Sequence, residues 1–143
     1  MQIHIKRTDA DFQMEATNEN GNRIVMDAVD TIGGHLSGMR PMQLLLVALG
    51  GCSAIDVLLI LKKQKQPIDD FEVLVEGDRE QIADYSIFRH IKLHFKATGN
   101  IAEAKLKRAI DLSLDKYCSV AKTLAPTAQI EYTYEVCSPT STP

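Results

Sequence analysis

The sequence predicts an α+β fold in the order βββ-α-ββ-α-β, built around one long apolar helix. Three observations carry that prediction. Several short segments alternate apolar and polar residues, a long apolar run opens at Pro41 and closes before Pro67, and a second run beyond Asn100 carries apolar residues at helical spacing. Alternation with period two marks a half-buried strand, and spacing of three to four marks one face of a helix.

The first strand is "QIHIKRT", where Ile3 and Ile5 alternate with polar neighbours, and the second is "FQMEAT", with Phe12, Met14 and Ala16. "NGN" at 20–22 supplies a turn and "RIVMDA" a third strand. A glycine-containing loop, "TIGGHLSGMR", leads to Pro41, a residue suited to a first helical turn because its missing N–H costs nothing there. The first helix is expected over 41–64, ending in "KKQKQP" with cations at the negative end of its dipole. Its apolar residues run most of the way round, so it calls for cover on nearly every side. Gly50 and Gly51 each cost about 1 kcal/mol against alanine in mid-helix, which another backbone approaching closely would offset.

"FEVLVEGDRE" and "SIFRHIKLHFKATG" are the next two strands, with "EQIADY" as their connecting loop. Asn100 and Glu103 have the spacing of a capping box for the second helix. Leu106, Ala109, Ile110, Ser113, Leu114, Tyr117, Cys118 and Ala121 follow on its buried stripe, and Pro126 stops it. "AQIEYTYEV" is the last strand. Residues 1–137 therefore read as a single domain and 138–143 as a disordered tail.

A chain of 143 residues can bury a real core. With 16 Lys and Arg against 19 Asp and Glu, the net charge of -3 gives no reason to expect nucleic acid or an anionic membrane as partner. The first residues lack the basic-then-apolar pattern of a signal peptide, so a cytoplasmic location is the expectation. The run from Met42 to Leu61 has the length of a membrane span, but Asp56 lies inside it, and a carboxylate there costs roughly 3 kcal/mol.

The three cysteines, Cys52, Cys118 and Cys137, are odd in number and widely spaced, which argues against a disulfide framework, and no C-x-x-C pair supports a zinc ribbon. Cys52 and Cys118 each lie on a helix. They read either as small buried apolar residues or as a thiol pair in which one attacks and the other resolves. A reactive thiolate needs a lowered pKa. Cys52 is too deep in its helix for the dipole to act on it, so a cation would be required, with Arg23, Arg40, Arg79 and Arg89 as sources. Asp56 stands at i+4 on the same face and opposes a thiolate unless it is itself paired. His90 and His94, beside a strand's apolar face, could join Cys52 in a metal site, but their spacing singles none out. Cys137, next to the tail, reads as a bystander.

"RPMQLLLVALGGCSAIDVLLILKKQKQ" resembles the first helix of the OsmC/Ohr family, the osmotically inducible and organic hydroperoxide resistance proteins, with Pro41 and Cys52 at matching places. "DLSLDKYCSVAKTL" resembles its second helix, where the other family cysteine matches Cys118. "GGCSAIDV", "DKYCSVA" and the closing "YTYEV" look most like the YhfA-like branch, and the resemblance covers nearly the whole chain.

The resemblance implies an OsmC-like intertwined homodimer with its sites at the subunit interface. It also implies reduction of organic hydroperoxides, with Cys52 as the peroxidatic thiol and Cys118 as the resolving one. No cofactor or metal is implied beyond an external dithiol reductant. The family's thiolate-activating Arg–Glu pair has no full match. Arg40 and Arg23 are stand-ins for the arginine, Met42 follows the helix-leading proline, and Gln43 stands where the YhfA-like branch has Glu. Asp56 completes the supporting set. The alternative the resemblance leaves is a non-peroxidatic member that binds a small apolar ligand at the dimer interface.

Overall fold

A computed structural model of the chain describes residues 1–139. The order of elements is β1 (Ile3–Arg7), β2 (Met14–Asn18), β3 (Arg23–Met26), α1 (Pro41–Lys63), β4 (Asp70–Ile82), β5 (Tyr85–Thr98), α2 (Glu103–Leu112), α3 (Ser119–Leu124) and β6 (Gln129–Cys137). This is the α+β arrangement that the alternation predicts. The chain divides into two compact units, Met1–Leu45 and the remainder from Leu46, with the boundary inside α1. Of the tail expected to be disordered, residues 140–143 lie outside the described residues.

In the N-terminal unit β1, β2 and β3 form an antiparallel meander. Its loop to α1 is organised by Asp27, a buried carboxylate that no pattern in the sequence marks. Asp27 accepts hydrogen bonds from the amides of Ala28, His35 and Ser37 and from the Ser37 hydroxyl. Those donors, the Ser37 hydroxyl foremost, hold its pKa down at about 2. Gly38 sits against the backbone of β3, where a Cβ would come within 2.6 Å of the Val25 carbonyl oxygen. The start of α1 is capped by Gln43, whose side-chain oxygen accepts from the Arg40 amide at 2.9 Å, the reciprocal half of a capping box.

In the second unit β4 pairs antiparallel with β5, and β5 pairs parallel with β6. The registers Val73↔Phe95, Val75↔Leu93, Leu93↔Tyr132 and Phe95↔Tyr134 place the alternating apolar residues on one face. The helix α1 lies on the β4 side of that face, with Leu49, Ser53, Val57 and Leu61 as its buried stripe. On the other side α2 meets β6, through hydrogen bonds from Tyr132 to Asp111 and from Tyr134 to Glu103.

Three expectations need correction here. Among the described residues no backbone approaches either glycine: at Gly50 a Cβ would come within 2.8 Å of the Val75 side chain, and at Gly51 nothing lies within 4 Å. The β4–β5 strands run through "EQIADY" into a tight turn at Ala83, because the polar residues there pair as edges rather than bury. The expected capping box at Asn100 is absent: α2 begins at an Ala102 N-cap with no side-chain cap, and the Ala102 amide donates to Gln66 at 3.0 Å. As expected of a helix that one small sheet can cover on one side only, α1 is not covered on all sides within the chain. Val47, Ile55 and Leu59 are exposed, Ile55 by 68%.

Candidate functional site

The second helix of the prediction is not one helix. After α2 the chain widens into a single π-helical turn, Ser113–Tyr117, and then Cys118 leaves helical geometry at φ -68°, ψ 101°. Cys118 becomes the N-cap of α3, and its sulfur accepts the Ala121 amide at 3.4 Å. Such one-residue widenings occur often at functional sites. This one turns Cys118 away from the path of a regular helix.

Across from it, Cys52 and Asp56 share a face of α1 at i and i+4. The sulfurs of Cys52 and Cys118 and a carboxylate oxygen of Asp56 all lie within 4.8 Å of one another. Ser113, from the π turn, ties the two walls together: its hydroxyl lies 3.2 Å from Asp56 Oδ2 and 3.4 Å from the Ser53 carbonyl oxygen. Ser53 and Ser113 are both fully buried, small enough to let the elements approach and polar enough to need each other's surroundings. Ser53 satisfies itself within α1, donating to the Leu49 carbonyl at 2.8 Å. The helical spacing puts Ser113 on a buried stripe, but no feature of the sequence marks either serine as a link between the two walls. A π turn in particular has no spacing signature.

The two thiols differ. Cys118 is fully buried and Cys52 is partly exposed. Burial pushes the Cys118 thiol up to about 11, against the opposing pull of the Ala121 and Val120 amides, and the neighbouring Cys52 adds to the rise. Cys118 is therefore a protonated thiol at neutral pH.

The arginines suggested by the sequence have other engagements where partners are present. Arg89 pairs with Glu80 at 2.7 Å, Arg79 reaches the Ser86 carbonyl, and Arg23 pairs with Glu15 on the adjacent strand. The Arg40 amide is held by Gln43, so Gln43 acts at the helix start. His94 bonds to Thr133, and Cys137 ends β6 opposite Thr98; neither joins the Cys52 cluster.

Beside Asp56 a cleft of about 530 Å³ opens, with Leu59, Ile60, Leu112 and Tyr117 as apolar walls and Lys63 and Gln64 at its polar end. The Gln64 side-chain oxygen is buried and has no hydrogen-bond partner among the described residues.

The family model for OsmC-like protein matches residues 33–133. The chain belongs to the OsmC-like family. Within it, the chain is 42% identical to Protein YhfA of Escherichia coli strain K12 over 118 residues, which is 82% of this chain and 84% of YhfA. Among solved structures it resembles a hypothetical protein from Aquifex aeolicus, at 29% identity and a TM-score of 0.82, covering 96% of each chain. It also resembles the organic hydroperoxide resistance protein OsmC of Legionella pneumophila at 13% identity and a TM-score of 0.72, covering 95% of this chain and 98% of that one. At that identity the last likeness speaks for the OsmC-like fold alone. The two cysteines that carry the resemblance are the two that the fold brings together.

Proposed function

We propose that this OsmC-like protein reduces organic hydroperoxides through Cys52 and Cys118. The observation that carries the reading is the pairing of a partly exposed sulfur with a buried one inside 4.8 Å. In the proposed cycle the Cys52 thiolate attacks the O–O bond. Cys52 becomes a sulfenic acid, and the alkoxide takes a proton and leaves as the alcohol. The Cys118 sulfur then attacks the Cys52 sulfur, giving a disulfide and water, and the Cys118 proton leaves with that water. An external dithiol returns both thiols. Closing the sulfurs to about 2 Å requires adjustment at the π turn, the less regular of the two walls.

We further propose that the protein works as a homodimer in the cytoplasm. Its helix α1 is long and apolar enough to cross a membrane, with a mean hydropathy of 2.5, but it carries Asp56 and buries one stripe against the sheet. Burying the exposed Val47, Ile55 and Leu59 against a second subunit would supply the remaining cover. A detergent-free protein sedimenting as a dimer supports this, and one that needs detergent overturns it.

A second reading is favoured by the cleft beside Asp56. In it the protein binds a small apolar ligand and does not turn over peroxide. One experiment separates the two: follow loss of an aryl hydroperoxide in the presence of a dithiol, with wild type, Cys52→Ser and Cys118→Ser. The first reading expects turnover that falls to background in Cys52→Ser. Equal rates in wild type and Cys52→Ser leave only the second.

A further inference from the structure

The set of atoms at the site points beyond thiol exchange. Two sulfurs and a carboxylate converge, with the Ser113 hydroxyl against Asp56 and the Ala121 amide against the Cys118 sulfur. Two sulfurs and a carboxylate oxygen within 4.8 Å of one another, drawn from two separate elements, are a set of metal-ligand atoms in metal-ligand proximity.

We propose that Cys52, Asp56 and Cys118 form a binding site for a thiophilic divalent cation of the zinc class. Two sulfur donors select a soft or borderline metal over magnesium or calcium. Zinc–sulfur bonds of about 2.3 Å in a tetrahedron set the sulfurs roughly 3.8 Å apart, so donors that already lie within 4.8 Å need only a small closure.

The set draws on both walls. The i, i+4 pair on α1 supplies one sulfur and one oxygen, and the residue after the π turn supplies the second sulfur. Ser113 holds Oδ2 of Asp56, as outer partners of metal-bound carboxylates do. The Ala121 amide serves the Cys118 sulfur in the same way. Three protein donors leave a fourth position, and Asp56 lines the open cleft from which water or a ligand would fill it. Bound there, the cation would hold both thiols as thiolates and keep them from pairing. The site requires reduced sulfurs but not peroxide turnover, so it stands or falls separately from the reading above.

The test uses the full-length reduced protein without peroxide. Cobalt(II) is titrated first, for its thiolate-to-metal charge-transfer absorption, and Zn²⁺ is then used to displace it in competition with a chromophoric chelator. One equivalent per chain is expected, with affinity falling more than about 100-fold in Cys52→Ser and Cys118→Ser and about 10-fold in Ser113→Ala. Asp56→Asn is expected to keep the thiolate band while weakening binding, and Cys137→Ser to change nothing. Absence of a charge-transfer band, or undiminished binding in the Cys52→Ser/Cys118→Ser double variant, overturns the proposal. Alkylation of the wild type covers the case in which a variant does not fold. Zn²⁺ is expected to slow modification of Cys52 and leave Cys137 unaffected, and equal slowing or none at both overturns the site.

Discussion

Cys52 and Cys118 sit within reach of each other but are held in opposite ways. Cys52 belongs to an unbroken helix whose covered stripe, Leu49, Ser53, Val57 and Leu61, fixes it against the sheet, while its own side chain stays partly open. Cys118 is fully buried, but its backbone stands where a π turn gives way to the short α3. One sulfur is accessible on a stiff support, and the other is protected on a yielding one. For a thiol pair this divides the labour: the exposed sulfur meets what arrives from solvent, and the other can approach it because its support is not a regular helix.

The largest effect should come from removing that irregularity. Deleting Asp115 from the π turn restores regular helical winding and rotates Cys118 by about 100°. Disulfide formation with Cys52, followed by the electrophoretic shift of the oxidised chain, is expected to vanish. Oxidation of Cys52 itself, trapped with a sulfenic-acid reagent, should persist. A disulfide that still forms at the wild-type rate would show that the π turn does not position Cys118.

A smaller but sharper contrast lies in alkylation against pH. At pH 8 iodoacetamide should modify Cys52 in the native protein and spare Cys118, which should react only as pH nears 11. The same shift has a stability consequence. A raised pKa means that the folded state holds its proton more tightly than the unfolded chain. Its contribution is complete below the ordinary value of 9.0 and is lost as pH climbs toward about 11. The chain should therefore melt at a lower temperature above pH 9 for this reason, and Cys118→Ala should flatten that limb.

The smallest effects test how the Cys52 helix is seated. Gly51→Ala meets open space and should stabilise the helix by up to about 1 kcal/mol, seen as a higher denaturant midpoint. Gly50→Ala drives a methyl to 2.8 Å from Val75, so it should gain less than Gly51→Ala or lose stability outright. A loss at Gly51 instead would place a partner surface against that side of α1.

Much of the frame was legible in the sequence because burial imposes a period. Ile91, Leu93 and Phe95 alternate since one face of β5 is covered, and Pro41 and the lysines at 62 and 63 bracket α1 for reasons of missing N–H and dipole. What was not legible follows from the same physics. The polar end of the β4–β5 hairpin buries nothing, so it leaves no alternation to read. Leu114 and Tyr117 continue the helical spacing straight through the π turn, and spacing cannot register one extra residue in a turn. Asn100 and Glu103 had the right interval for a cap, but Gln66, distant in sequence, supplies the acceptor. Within the site, Asp56 was visible as the i+4 neighbour of Cys52, and the resemblance joined Cys118 to them. Ser113 was placed on a buried stripe by its spacing, but not as the hydroxyl that ties α1 to the π turn, since its partners Asp56 and Ser53 come from a distant element.

The parallel pairing of β5 with β6 also bears on how the chain acquires its thiol chemistry. A parallel neighbour cannot be reached by a hairpin, so all of α2, the π turn and α3 must be laid across the sheet before β6 docks. Such long-range closure comes late in folding. Cys118 rides on that crossing segment, so its place beside Cys52 is held from two sides, by the Ser113 contacts with α1 and by the docking of β6. The full seating of the second sulfur thus waits on the strand made last in the chain, which links the thiol pair to the closure of the whole sheet.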